Sequence, residues 1–227
     1  MNLKIIIPAY NEEKVIGPVL QGLPSRLEGI NDIELVVIDD GSVDDTALVA
    51  RNAGATVIRH GLNCGLGGAI GTGLEYARIT NADLAVTFDA DGQHDPDNLP
   101  AVLGPLIAGE AAVVIGSRMI DSEGMPMLRT IGNWGLSVGT YFLFGTWCTD
   151  SQSGFRAFSR KAIQAIKVDA NYMEVSSDII REIGDKDLRL KEIPIKAKYS
   201  SYSIGKGQRN WNAINIMVRL VVRKIQR

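Results

Sequence analysis

Through the first half of the chain the hydrophobic residues come in short, nearly continuous runs, at residues 3–7, 34–38, 55–58, 84–88 and 111–115. Apolar and polar positions do not alternate within them. Strands of this kind are buried on both faces, as in a parallel sheet covered by helices on each side. Between the runs, residues 12–21, 45–52, 68–78 and 96–107 carry helical periodicity. Asp95-Pro96 reads as a helix start, with Asp as the cap and Pro in the first turn. Asp44 or Asp45 can cap the second helix and Gly54 can end it. The alternation predicts a single doubly wound α/β domain. In such sheets ligands bind beyond the carboxyl ends of the strands.

Polar clusters fall at that edge. Pro8-Ala-Tyr-Asn-Glu12 follows the first run, Asp39-Asp-Gly-Ser42 the second, Asp89-Ala-Asp-Gly-Gln93 the fourth and Gly116-Ser-Arg118 the fifth. Asp89 and Asp91 lie on one side of an extended backbone, just past a buried strand. Two carboxylates there are costly to leave unpaired. A hard divalent cation, Mg²⁺ or Mn²⁺, would relieve that cost and hold a diphosphate that bare carboxylates repel. The glycines from Gly65 to Gly73 lack the spacing of a dinucleotide or P-loop motif. Close approach to a phosphate and tight strand-to-helix packing both remain open for them.

Composition narrows the class. The 227 residues, 45% hydrophobic and 22% charged, suit one substantial core. Cys64 and Cys148 stand far apart without partner ligands, which predicts neither a disulfide nor a zinc site and favours a reducing compartment. The N-terminus runs straight into a strand, so no signal peptide is expected, and no apolar run has the length of a membrane span. The net charge of −2 is unevenly placed: from Arg189 onward there are ten basic residues and one acid, Glu192. That polarity points to an anionic partner. Nucleic acid is not expected, because the basic stretch has no nucleic-acid motif and few aromatics; a membrane surface fits.

Taken together, the motifs resemble family 2 glycosyltransferases with the GT-A fold. They are Pro8-Ala-Tyr-Asn-Glu12, Asp39-Asp-Gly-Ser-Val-Asp-Asp-Thr46, Asn63-x-Gly65, Asp89-Ala-Asp-Gly-Gln-His94, Gly116-Ser-Arg118 and Asp150-Ser-Gln-Ser-Gly-Phe-Arg156. The Asp89–His94 and Ser153–Phe158 stretches look most like the polyprenyl-phosphate (dolichyl-phosphate) mannose or glucose synthases. The resemblance implies inverting transfer of a hexose from GDP-mannose or a UDP-sugar to a polyprenyl or dolichyl phosphate. It places Pro8, Tyr10, Glu12, Asp39, Asp89, Ala90 and Asp91 at the nucleotide sugar, with Asp89, Asp91 and Gln93 on the metal. Asp91, Asp150 and Arg118 become the candidate catalytic residues. Asp150 stands where many relatives carry a base; an ionised phosphate acceptor needs none, and Asp150 would then orient Arg156 or the acceptor loop.

Arg118 and Arg129 bracket a segment containing Gly124 and Pro126, and Arg suits bidentate phosphate binding. With Asn133 and Lys206 they form the candidate acceptor-phosphate set. Residues 1–205 are read as the catalytic domain and 206–227 as a basic amphipathic tail at the membrane interface, with Asn212, Asn215, Arg219, Arg223 and Gln226 on its polar stripe. The expected location is peripheral, at the cytoplasmic face of a membrane. The runner-up keeps the donor chemistry and replaces the lipid phosphate by a saccharide or other hydroxyl. A sugar-1-phosphate nucleotidyltransferase is disfavoured because Pro8–Glu12 replaces its Gly-rich loop. A phospho-receiver module is disfavoured because it is shorter and carries its acidic pair after the first strand. A catalytically dead lipid-binding relative fits poorly with the retained Asp89, Asp91 and Gln93.

Overall fold

The computed structural model describes residues 1–121, 125, 127–169, 172 and 174–196, with only the main chain of residues 128 and 129. The expected basic tail, with Lys206, lies outside them. The strands are β1 (Asn2–Ala9), β2 (Asp32–Asp39), β3 (Thr56–Arg59), β4 (Leu84–Thr87), β5 (Val113–Ser117), β6 (Arg156–Ser159) and β7 (Leu190–Pro194). They form one sheet in the order β3-β2-β1-β4-β6-β5-β7. Every pairing is parallel except those of β6, which runs antiparallel between β4 and β5. The helices are α1 (Ile16–Gly22), α2 (Thr46–Asn52), α3 (Gly65–Ile79), α4 (Leu99–Ile107), α5 (Met127–Phe144), α6 (Arg160–Ala165) and α7 (Val175–Asp185).

The continuous apolar runs are the buried strands. Ile5 and Ile7 face one hydrophobic layer with Val37, Val86 and Leu103, while Ile6 faces the other with Ile38, Leu74 and Ile180. Burial on both faces explains the missing alternation. Gly73 belongs to this packing, since a Cβ there would meet Ile6 Cγ2 at 2.2 Å.

Several local expectations shift. The first helix starts at Ile16 rather than residue 12, because the Glu12 carbonyl accepts from Val15 and Ile16 and makes a turn. Asp44 rather than Asp45 caps α2, its Oδ1 accepting from Thr46 N at 3.0 Å, and Gly54 follows the helix at φ 86°. Asp95 accepts from Asp97 N as expected, opening a 3₁₀ turn before α4. The Gly-interrupted apolar stretch in the 130s, assigned no element from the sequence, forms α5. Among the described residues no helix is long and apolar enough to cross a membrane.

Candidate active site

All the motif residues that are described gather at one edge of the sheet. The loops after β1 and β2 are tied to each other by their own polar groups. Asn11 N donates to Ser42 Oγ at 2.9 Å and Val43 N to Asn11 Oδ1 at 2.9 Å. Glu12 N donates to Thr46 Oγ1 at 2.7 Å. Beside them lies a cleft of about 280 Å³ lined by Pro8, Tyr10, Asp40, Asn63, Leu66 and Tyr172, among others. Tyr10 is 45% exposed at its wall.

The two adjacent aspartates divide the work. Asp40, not Asp39, lines the cleft, and it caps α3. Its Oδ1 accepts from Cys64 N and its Oδ2 from Gly65 N, each at 2.8 Å, and His60 Nδ1 lies 2.8 Å from Oδ1. The carboxylate thereby satisfies the first N–H groups of the helix and complements its positive end. Asp40, His60 and Cys64 bring three ligand atoms within 4.8 Å, but those bonds and the helix dipole make this a cap rather than a cation site. The phosphate-loop option for the glycines fails for the same reason: their helix N-terminus already holds a carboxylate. Asp39 is fully buried, and its Oδ1 accepts from Ser42 N at 3.0 Å. Arg59 Nε stands 3.1 Å from Oδ2 without hydrogen-bond alignment, so that buried oxygen has no hydrogen bond among the described residues.

Asp89 and Asp91 stand past the end of β4, with the Ala90 side chain between them turned into the core. The Asp89 side chain is 35% exposed, yet enough protein surrounds it for desolvation to oppose ionisation. The hydrogen bond from His94 and the positive field of His94, Arg118 and Arg156 outweigh that and hold its pKa below the usual range. Asp91 moves the other way, raised by burial and then by Asp89. Gln93 donates to Asp91 Oδ1 through its main-chain N at 3.0 Å and to Oδ2 through its side-chain amide. Two crowded carboxylates with a neighbouring amide form a hard-oxygen donor set of the kind Mg²⁺ and Mn²⁺ take.

Arg118 and Asp150 form the second half. Arg118 Nε donates to Asp150 Oδ2 at 2.8 Å and Nη2 to Oδ1 at 3.0 Å, with the Arg118 main-chain N adding a third bond. Asp150 is fully buried. Desolvation alone would raise its pKa, but Arg118, by charge and hydrogen bonds, lowers it. Of the two expected partners, Arg156 and the acceptor loop, Asp150 holds Arg118, where that loop begins. Glu192 on β7 anchors the same loop through Thr149 N at 2.8 Å and Thr149 Oγ1 at 2.7 Å, and Ser137 of α5 accepts from Ser151 N at 3.0 Å. Asn133 lies on α5, and the Arg129 side chain lies outside the described set.

Three residues with roles here were not among the expected site residues, Arg156 having been named only as a partner for Asp150. Arg156, buried on β6, donates to the carbonyls of Ser153 and Ser151. Burial lowers its pKa to about 10, while Cys148, Asp150 and Asp89 oppose the fall. His94 and Glu192 are the others. A charge inside an apolar strand was the available signal for Arg156. Both cysteines are free, and burial followed by Glu192 raises the Cys148 thiol to about 12.

The Glycosyl transferase family 2 profile matches residues 4–167. A Methanocaldococcus jannaschii protein described as uncharacterized is 43% identical, covering 97% of this chain and 91% of its own. A Methanococcus voltae relative named UDP-N-acetylglucosamine--dolichyl-phosphate N-acetylglucosaminyltransferase is 37% identical, covering 97% and 95%. The undecaprenyl-phosphate mannosyltransferase of Micrococcus luteus is 31% identical, covering 75% and 71%. In three dimensions, glucosyl-3-phosphoglycerate synthase from Mycobacterium tuberculosis, solved with Mn²⁺, UDP-glucose and phosphoglyceric acid, superposes with a TM-score of 0.71 at 23% identity, over 96% of this chain and 79% of that one. The profile match across most of the chain, on a sheet of this topology, makes the protein a GT-A glycosyltransferase of family 2.

Proposed function

We propose that this enzyme transfers a sugar from a nucleoside diphosphate to a polyprenyl or dolichyl phosphate, with inversion and with Mg²⁺ or Mn²⁺. The observation that carries the acceptor is the Arg118–Asp150 pair. A hydroxyl acceptor needs a base as it attacks. Asp150, the residue expected for that task, is buried and spends both oxygens on Arg118. An ionised phosphate needs no base, and an anchored guanidinium suits it. Arg118 would position that phosphate, with Arg129, Asn133 and Lys206 as further expected contacts.

On the donor side Tyr10 offers a stacking face and Pro8 packs beside it. Asp39 Oδ2, buried beside the half-exposed Arg59 side chain, would accept from a base or ribose donor once that side chain turns away. Glu12 contributes by fixing the loop. Asp89 and Asp91 would hold the cation, and Gln93 would exchange its amide donor for its amide oxygen. The bound cation supplies charge neutralisation at the diphosphate leaving group.

A lipid acceptor also fits the outer face of α5, where Met127, Ile131, Trp134 and Phe142 are exposed beside Trp147. Aromatic residues of this kind favour a membrane–water boundary. The basic tail at 206–227 would add attraction to anionic lipid and keep the enzyme at the cytoplasmic face. The Methanococcus voltae relative makes UDP-N-acetylglucosamine the first donor to try. The test supplies radiolabelled UDP- and GDP-sugars, a polyprenyl phosphate and Mn²⁺. Label entering the organic phase is the expected result. Label appearing only on a soluble saccharide would replace the lipid acceptor by a hydroxyl.

A further inference from the structure

Two residues from different parts of the chain close on the Asp89 carboxylate. The antiparallel ladder pairs Thr87 with Arg156, so its register carried two residues further sets Asp89 opposite Gly154. A Cβ on Gly154 would stand 2.3 Å from Asp89 Oδ2 and 2.4 Å from Oδ1. Gly154 is itself pinned, its carbonyl accepting from Thr87 Oγ1 at 2.7 Å. Its φ lies outside the left-handed region. The backbone therefore accepts alanine, and the carboxylate is the nearest group in the way.

His94 closes the other side. Its Nε2 lies 2.9 Å from Asp89 Oδ2. The ring is 3% exposed and packs against Phe88 and Phe155, with centroids at 5.5 and 5.2 Å. Nδ1 is buried with no hydrogen-bond partner among the described residues. Aromatic packing thus fixes the ring, and the hydrogen bond it makes goes to Asp89.

We propose that His94 and Gly154 are positioning residues that together set the Asp89 carboxylate for a divalent cation, His94 by engaging Oδ2 and Gly154 by leaving room. This rests on the metal reading of Asp89 and Asp91 given above. Groups that orient a ligand in this way typically change metal affinity by about 10–100-fold when removed.

The test is calorimetric titration of Mn²⁺ into the full chain with saturating UDP or GDP, whichever the wild type binds, alongside thermal melting. His94→Met, which keeps the volume and loses the donor, should weaken Mn²⁺ binding by about 10–100-fold. His94→Gln, which returns an N–H donor, should recover most of it. Gly154→Ala should weaken Mn²⁺ binding comparably. Wild-type Mn²⁺ affinity in His94→Met overturns the role of His94, as does a His94→Gln variant that melts like wild type yet binds no better than His94→Met. Wild-type affinity in Gly154→Ala overturns the role of Gly154, and serves as the independent check should His94→Met melt early. A wild-type chain that binds no Mn²⁺ with either nucleotide sinks the metal reading itself and this inference with it.

Discussion

The loops after β1 and β2 and the loops around β5 and β6 meet at one edge but are held by different means. In the first pair, short side chains bond main-chain groups: Asn11 to Val43, Ser42 to Asn11, Thr46 to Glu12, Asp40 to the start of α3. In the second, charged side chains reach across distant parts of the chain: Arg118 to the Asp150 carboxylate, and Glu192 to Thr149 in the loop that carries Asp150. Main-chain capping is worth about 1 kcal/mol per bond and fails piecemeal. A buried ion pair fails as a unit, because either partner left alone is an uncompensated charge. The donor side should therefore tolerate single changes that the Arg118 side does not.

The largest expected effect falls between the two regions. Asp89→Ala and Asp91→Ala should each lower turnover on the order of 10²–10³-fold and weaken Mn²⁺-dependent nucleoside diphosphate binding. Unchanged binding by calorimetry in both variants would remove the metal from this site.

Next comes the direct contrast. Asp150→Asn should cost roughly 3–5 kcal/mol of stability, whereas Ser42→Ala should cost only about 1–2 kcal/mol for the stranded Asn11 N–H. Denaturant titration of both decides it. Equal losses would mean that the two regions are held alike. In addition, Arg118→Ala should raise the KM for lipid phosphate more than that for the nucleotide sugar.

A smaller effect is expected from the outer face of α5. Trp134 and Phe142 are 59% and 79% exposed, so Trp134→Ser with Phe142→Ser should shift stability by no more than about 0.5 kcal/mol per site. Liposome flotation should nevertheless drop, since each side chain contributes roughly 1.5–3 kcal/mol on entering an apolar phase. Flotation equal to wild type would leave this face without a lipid role.

The smallest effect lies at the far end of the sheet. Burial of Glu34 opposes its ionisation, but Lys4, Thr56 and Tyr76 outweigh it and lower its pKa below 4.5. A folded-state pKa below the unfolded one adds stability above the unfolded value, and that stability is lost as pH falls through the folded one. With the side chain a quarter exposed, the contribution is about 1 kcal/mol or less. Glu34→Gln should narrow the gap in melting temperature between pH 7 and pH 3, and an unchanged gap would remove Glu34 from the acid response.

Legibility followed the same division. The loops after β1, β2 and β4 are short and follow parallel strands, so a motif in the sequence is already a place at the sheet edge. Tyr10, Asp39, Asp89 and Asp91 could be placed that way. Choosing between Asp39 and Asp40 could not, because a cap on α3 is made by a residue 25 positions earlier in the chain. Gly132, Gly135 and Gly139 interrupt the apolar stretch, yet α5 forms there because its own Leu136, Ser137 and Thr140 are buried, which outweighs propensity.

By itself the sequence determined the α/β alternation, the buried character of the first strands, the acidic pair after β4 and the family. Those are local: each depends on a run of neighbouring residues and the turn that follows it. The tertiary structure decided the insertion of β6 between β4 and β5, which brings Gly154 against Asp89, and the pairing of Arg118 with Asp150. An antiparallel strand entering a parallel sheet leaves no periodic mark in the chain. A buried charge declares its role only when its partner, here 32 residues away, is folded against it.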